Sequence, residues 1–277
     1  MVDLDAYFHR IAYDGPRAPT LAVLRRLHAL HPAAIPFEAL DVLLDRGVDI
    51  RPAAVDAKLI RAGRGGYCFE QNSLFKRVLL TLGFQVDGLL ARVRWGVAAD
   101  APPTPRSHMA LRVTLDGETW LADVGFGGAV MTAPLRLAVR EPQQTPNGTF
   151  RLTDHEDDLM LEVATPSGWA PVYRLGLQAQ CDIDYESPNW MTSTHPGSWF
   201  RSTLVVARAT PEALYALHDT RLTTRSADGA VIHQSLDAAG LERVLTEVFQ
   251  LPVEPALRPI LQRIAMANTA DGRSAAS

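Results

Sequence analysis

Cys68 is the residue of this chain best placed to do chemistry. It stands in Arg64-Gly65-Gly66-Tyr67-Cys68-Phe69-Glu70-Gln71-Asn72, where two glycines allow the backbone a tight turn. After it, Phe75, Val78, Leu79 and Leu82 recur at i, i+3, i+4 and i+7, and Gly83 stands where a helix C-terminal glycine belongs. That pattern puts Cys68 in the first turn of a helix. Unpaired backbone N–H groups and the positive dipole end favour a thiolate there, the form of cysteine that attacks carbon.

A thiolate nucleophile needs a proton carrier and a group to orient it. Met109, Leu111, Val113 and Leu115 alternate with His108, Ala110, Arg112 and Thr114, and Asp116-Gly117 follows as a strong hairpin turn. A two-residue turn pairs Leu115 with Glu118. Followed back along the ladder, it sets Ala110 opposite Asp123 and His108 opposite Gly125. His108 and Asp123 then share a face as diagonal neighbours, with Cβ atoms roughly 7–8 Å apart or less. The other face carries Met109, Leu111, Val113, Trp120, Ala122 and Val124 and reads as core, leaving His108 and Asp123 on the polar side. A three-residue loop would reverse the parity and separate them. An ionised Asp beside a His orients the ring and stabilises the imidazolium. Cysteine, histidine and carboxylate would together give nucleophile, proton carrier and orienting group.

Other readings compete at each position. A lone cysteine is commonly a small buried hydrophobe, which is how Cys181 reads. Asp123 could cap the turn at Gly125. His28 and His31 lie near a helix end and read as caps for its last carbonyls. Glu38 and Glu70 read as structural partners of arginines, and Arg64 with Glu38 as a brace for the turn before Cys68. No His/Cys cluster has metal-ligand spacing, so no metal is expected. Gly125-Phe126-Gly127-Gly128 lacks the lysine and helix of a phosphate loop.

The elements that must position these groups fall into three regions. Residues 1–83 read as helical, with Asp3 and Thr20 as N-caps and Pro32 ending the second helix. Residues 84–195 read as short strands separated by turn signals, the pattern of a barrel or sandwich. Residues 196–277 are mixed. Ser202–Ala207 is strand-like, Tyr215–Thr224 reads as a hairpin although Thr210-Pro211-Glu212 imitates a helix start, and Leu236–Phe249 and Pro255–Ala265 read as helices.

The 277 residues are 47% apolar with net charge −4, an ordinary globular composition that advertises neither nucleic acid nor anionic membrane as a partner. The apolar runs fall short of a membrane span, and the first residues lack a basic signal-peptide region. The expected compartment is the cytoplasm, and the two cysteines are expected as free thiols.

Taken together, Pro36-Phe37-Glu38-Ala39-Leu40, the block Arg64 to Asn72, His108, and Asp123-Val124-Gly125-Phe126-Gly127 resemble the arylamine N-acetyltransferases. The resemblance extends weakly to Ser193, Thr194 and Phe200 to Ser202, and Ala39 departs from the asparagine often found there. It implies an α+β, papain-like fold with an N-terminal helical bundle (1–83), a central β-barrel (84–195) and a C-terminal α/β lid (196–277). It implies a Cys68–His108–Asp123 triad and an apolar aryl pocket lined by Phe37, Tyr67, Val93, Phe126 and Phe200. The loop Trp95–Ser107 and the turn Gly125–Gly128, including Gly125 and Gly127, would flank the coenzyme A entrance. The implied reaction is ping-pong transfer of acetyl from acetyl-CoA, as cosubstrate, to an arylamine, arylhydrazine or hydrazide. An amide synthase or longer-acyl transferase of the same fold, a cysteine peptidase or transglutaminase, and a non-catalytic small-molecule binder are the alternatives.

Overall fold

In a computed structural model, which describes residues 2–274, the helical region opens with α1 (Leu4–Arg10) and α2 (Leu21–Ala34). Asp3 accepts from the Ala6 N–H and Thr20 from the Val23 N–H, as N-caps do. Pro32 does not end α2, which runs to Ala34. A two-residue strand β1 (Phe37–Glu38) and short helices α3 (Leu40–Leu43) and α4 (Pro52–Val55) lead to a wide π-turn at Asp56–Arg61. Then comes α5 (Cys68–Thr81). Its end meets expectation: Gly83 takes φ +91°, its N–H bonds Leu80, and the Phe84 N–H bonds Leu79.

The second region is one antiparallel sheet of eight strands, barrel-like and nearly closed. Its central strands are β2 (Gln85–Val93), β3 (Arg106–Leu115) and β4 (Glu118–Ala122). The short strands β5 (Leu135–Arg136) and β6 (Gln143–Thr145) form the two edges. The meander β7 (Gly148–His155), β8 (Asp158–Thr165) and β9 (Gly168–Leu175) closes back on β2. A helix that the sequence pattern did not announce, α6 (Glu186–Thr194), follows. Only Asn189, Thr192 and Ser193 of it are buried, so no apolar stripe marks it.

The C-terminal region pairs β10 (Val205–Ala209), β11 (Ala213–His218), β12 (Arg221–Ser226) and β13 (Val231–Ser235) in order. The hairpin reading of 215–224 holds, and the apparent helix start at Thr210 is a turn before β11. The edge partner of β10 is β1, with Phe37 opposite Ala207, so the stretch before Cys68 is stitched to the last third of the chain. Helices α7 (Ala238–Glu247) and α8 (Arg258–Ser274) pack against each other and enclose a core with Leu217, Leu222, Leu241, Leu245 and Leu261.

The hairpin that places the site keeps the expected register. Leu115 faces Glu118 and Leu111 faces Ala122, across a turn in which Asp116 and Gly117 both have positive φ (51° and 79°). Met109, Leu111, Val113, Trp120, Ala122 and Val124 pack into the core against α5. The opposite face is not a polar surface. Ala110 and Leu121 on it are fully buried with Leu89, Ala91, Leu161 and Val172 in the barrel core. The sheet is covered on both sides, and His108 and Asp123 lie inside the protein.

Candidate active site

Cys68 opens α5 and is buried, Cys181 is exposed rather than a core residue, and neither cysteine is in a disulfide. The turn before it is held by close packing. Neither Gly65 nor Gly66 has a positive φ. A Cβ on Gly65 would lie 2.2 Å from the Pro36 carbonyl, and one on Gly66 would lie 2.8 Å from a Glu70 oxygen. The glycines are needed so that the Cys loop can lie against the strand at Phe37, where the Glu38 N–H bonds the Gly66 carbonyl.

Charge fixes the outer side of this loop. Glu70 reaches back to the Tyr67 N–H at 3.0 Å and takes Lys58 Nζ at 2.8 Å, so its partner is a lysine where an arginine was expected. Lys58 also meets Asp41 at 2.8 Å and Glu38 at 3.6 Å. Arg64 meets Glu38 at 3.1 Å, as the sequence suggested, and Asp41 at 3.0 Å. Burial raises the Glu70 carboxyl above its usual range, and Lys58 offsets this only in part.

His108 Nε2 lies 2.7 Å from Asp123 Oδ2, which leaves Nδ1 for Cys68, and Cys68 Sγ stands 3.7 Å from the Ser107 carbonyl. Burial alone would lower the His108 pKa. The charge and hydrogen bond of Asp123, with the hydrogen bond to Cys68, outweigh it and carry the ring to about 10. Burial would likewise raise Asp123, but His108, Asn72 and the Gly125 N–H hold its carboxyl below the usual range. The site therefore favours an imidazolium between a carboxylate and the sulfur.

Several residues to which the sequence reading gave no role of their own hold this geometry. Asn72, one turn after Cys68 on α5, donates from Nδ2 to Asp123 Oδ1 (2.9 Å) and to the Met109 carbonyl (2.7 Å), and accepts the Val124 N–H. Gln71 donates from Nε2 to the Ile35, Pro36 and Gly66 carbonyls, so its oxygen must face His31 Nε2 at 2.6 Å. His31 Nε2 therefore carries the proton, and Nδ1 accepts from the Tyr7 hydroxyl at 2.8 Å. His28 Nε2 accepts from the Asp123 N–H at 3.0 Å. These two histidines are fully buried and do not cap α2. Burial brings His28 down to about 4 and His31 to about 3. One signal in the sequence could have shown this: with Leu24 and Leu27 they occupy the apolar stripe of α2. Tyr173 stacks beside His108 and Phe126, at 5.0 and 5.5 Å between ring centroids. Burial, then the Asp123 charge, raises its hydroxyl pKa well above the usual value.

The aromatic residues named from the sequence fall into two groups. Phe200 lies 6.2 Å from both Phe37 and Tyr67, and the Tyr67 hydroxyl bonds Asn189 on α6. Phe126 stands edge-on to His108 at 5.1 Å. Val93, at the end of β2, pairs with Tyr173. Gly125 and Gly127 have packing roles. A Cβ on Gly125 would lie 3.0 Å from Cys68 Cα, and Gly127, at φ +82°, lies against the Phe37 ring. No group of three or more potential metal ligands occurs among the described residues.

A family model described as N-acetyltransferase matches residues 20–258. An arylamine N-acetyltransferase of Mycobacterium tuberculosis is 41% identical over 255 residues, covering 91% of this chain and 90% of its own. The chain belongs to the arylamine N-acetyltransferase family. An arylamine N-acetyltransferase / N-hydroxyarylamine O-acetyltransferase of Salmonella typhimurium is 39% identical over 252 residues, covering 90% of this chain and 89% of its own. The Mycobacterium marinum arylamine N-acetyltransferase solved with CoA superposes with a TM-score of 0.91 at 36% identity, covering 95% of this chain and all of that one. This acetyltransferase-family chain thus has the α+β, barrel-containing architecture that its motifs imply, and no described helix is long and apolar enough to cross a membrane.

Proposed function

We propose that this enzyme transfers acetyl from acetyl-CoA to an aromatic amine, hydrazine or hydrazide through an acetyl-Cys68 intermediate. The observation that carries the reading is His108, 2.7 Å from Asp123, next in sequence to Ser107, whose carbonyl lies 3.7 Å from the Sγ of a cysteine at a helix start. In the first half-reaction the Cys68 thiolate adds to the thioester carbon, and the carbon–sulfur bond to CoA breaks. The His108 imidazolium gives its proton to the departing CoA sulfur. In the second, the amine nitrogen adds to the acetyl carbon, neutral His108 takes its proton, and Cys68 leaves as thiolate. Asp123 stabilises the ring in its charged form and fixes its tautomer. First-turn N–H groups of α5 that lack intrahelical acceptors are the donors available to the tetrahedral oxyanion.

The rings of Phe37, Tyr67 and Phe200 on one side, and Phe126 with Val93 on the other, are the proposed walls for the aryl group. The loop Trp95–Ser107 and the turn Gly125–Gly128 are the proposed flanks of the CoA entrance.

Incubation with acetyl-CoA and no amine should add about 42 Da to the Cys68 peptide, one acetyl in place of hydrogen. A Cys68→Ser variant should carry no such adduct. Wild-type protein with an intact thiol and no adduct would refute the reading. Competition between acyl-CoA thioesters of different length for the adduct reads the donor preference. Peptide turnover without CoA would favour a peptidase or transglutaminase. The name of the Salmonella relative favours a second acceptor, the oxygen of an N-hydroxyarylamine. Partition of the preformed acetyl-enzyme between an arylamine and its N-hydroxy analogue tests it.

A further inference from the structure

We propose that His28 is a positioning residue of this reaction, fixing the Asp123 backbone so that its carboxylate meets His108; the inference rests on the Cys68–His108–Asp123 reading above. The paired ladder of β3 and β4 ends at Leu111 and Ala122, so the Asp123 N–H has no strand partner. It donates to His28 Nε2, 95 residues earlier in the chain, at 3.0 Å. The carboxylate is secured from the other side. Oδ1 accepts from Asn72 and from the Gly125 N–H, and Oδ2 meets His108. Those contacts fix the oxygens, whereas His28 fixes the peptide from which they hang.

The direction of the bond settles the state of His28. A nitrogen that accepts from an N–H has a free lone pair, so the ring is neutral with its proton on Nδ1. Nδ1 is itself buried with no hydrogen-bond partner among the described residues, so the bond at Nε2 is the ring's one polar contact there. The ring is fully buried and stands edge-on to Phe75 at 5.8 Å, 87° between planes. Protonation would turn the acceptor into a donor facing a donor. The two imidazoles around Asp123 thus do different work: His108 meets the carboxylate and is held charged, and His28 meets the amide and is held neutral. Replacement of His28 by an apolar side chain leaves the Asp123 N–H a buried donor without acceptor. The peptide is then free to tilt toward another partner, and displacements near 1 Å at a reacting constellation cost about 10²-fold in rate.

The test compares His28→Leu, which removes the acceptor, with His28→Gln, whose side-chain oxygen can stand near the Nε2 position. Rates of Cys68 acetylation by acetyl-CoA are measured across pH, with kcat and KM. In His28→Leu, kcat should fall about 10- to 100-fold while KM for acetyl-CoA stays within about twofold. The alkaline limb of acetylation should move to lower pH, because a displaced carboxylate holds the His108 proton less tightly. His28→Gln should keep the wild-type limb and most of the rate. A folded His28→Leu protein with wild-type kcat and limb overturns the proposal. Equal loss in both variants with the limb unmoved also overturns it, since the histidine would then only pack. Should His28→Leu not fold, His28→Gln decides: a wild-type rate and limb support the role, and a folded variant that has lost either refutes it. Failure of wild-type protein to form any acetyl-Cys68 would instead refute the functional reading.

Discussion

Two polar braces flank the start of α5, and they are opposites in charge. On the outer side Lys58 and Arg64 stand among Glu38, Asp41 and Glu70 in a partly buried ionic network. On the inner side Tyr7, His28, His31, Gln71 and Asn72 form a fully buried set whose members are neutral or act through amides and a hydroxyl. Both hold backbone in place, but only the inner one touches Asp123. A second cation beside Asp123 would share its carboxylate with His108 and weaken the pull on the imidazole proton. Neutral donors and acceptors fix the same geometry and leave His108 as the carboxylate's charged partner. Where the brace holds only the Cys loop, ions serve.

The largest expected effect breaks the charged pair that the inner brace serves. Asp123→Asn keeps an oxygen for Asn72 and Gly125 but removes the charge facing His108, and kcat should fall about 10³- to 10⁴-fold with the fold intact. Steady-state kinetics beside circular dichroism reads both, and a loss under tenfold would remove Asp123 from the machinery. Next comes the outer brace. Lys58→Ala leaves Glu70 buried without its cation, and urea unfolding should show about 3–5 kcal/mol of lost stability. Adding Glu70→Gln, which keeps an acceptor for the Tyr67 N–H, should restore part of it. No recovery would mean that the network is not what Lys58 supports.

A smaller loss is expected from the inner brace. His31→Leu strands the Tyr7 hydroxyl and the Gln71 oxygen, at about 1–3 kcal/mol, again by urea unfolding. The last effect is a slope with pH. His28 and His31 have folded pKa values of about 4 and 3, below the unfolded 6.5. Between those values the unfolded chain binds more protons, so their contribution is complete above pH 6.5 and fades as pH falls. His108, raised to about 10, acts in reverse: its contribution is complete below 6.5 and is lost as pH rises through 10. The free energy of urea unfolding should rise from about pH 4 to 6.5, by up to about 1.4 kcal/mol per pH unit for each histidine, and decline toward pH 10. His31→Leu should flatten the acid limb and spare the alkaline one. An unchanged acid limb would contradict a neutral inner brace.

The sequence by itself determined the local geometry of the site. The periodicity of α5 and the Asp116-Gly117 hairpin are decided by neighbours, through caps, turn chemistry and a side-chain period of two. That is why the His108–Asp123 pairing could be derived from register, and why Cys68 could be placed at a helix start. The glycines before Cys68 are required instead by the approach of Pro36 and Phe37. Tertiary structure alone decided what lies on the far side of each element. The supposed polar face of the hairpin is buried because the barrel core closes over it at Leu121 and Ala110. His28 and His31, which look like helix caps, face inward because α2 packs over α5 and β4. α6 forms although its sequence shows no stripe. Burial and long-range partners come from parts of the chain 40 to 120 residues away (His31 with Gln71, Tyr67 with Asn189), and no local pattern encodes them. A residue's type limits what it can donate or accept. The protonation states differ because His108 meets the Asp123 carboxylate, while His28 is held neutral by burial and accepts the Asp123 N–H.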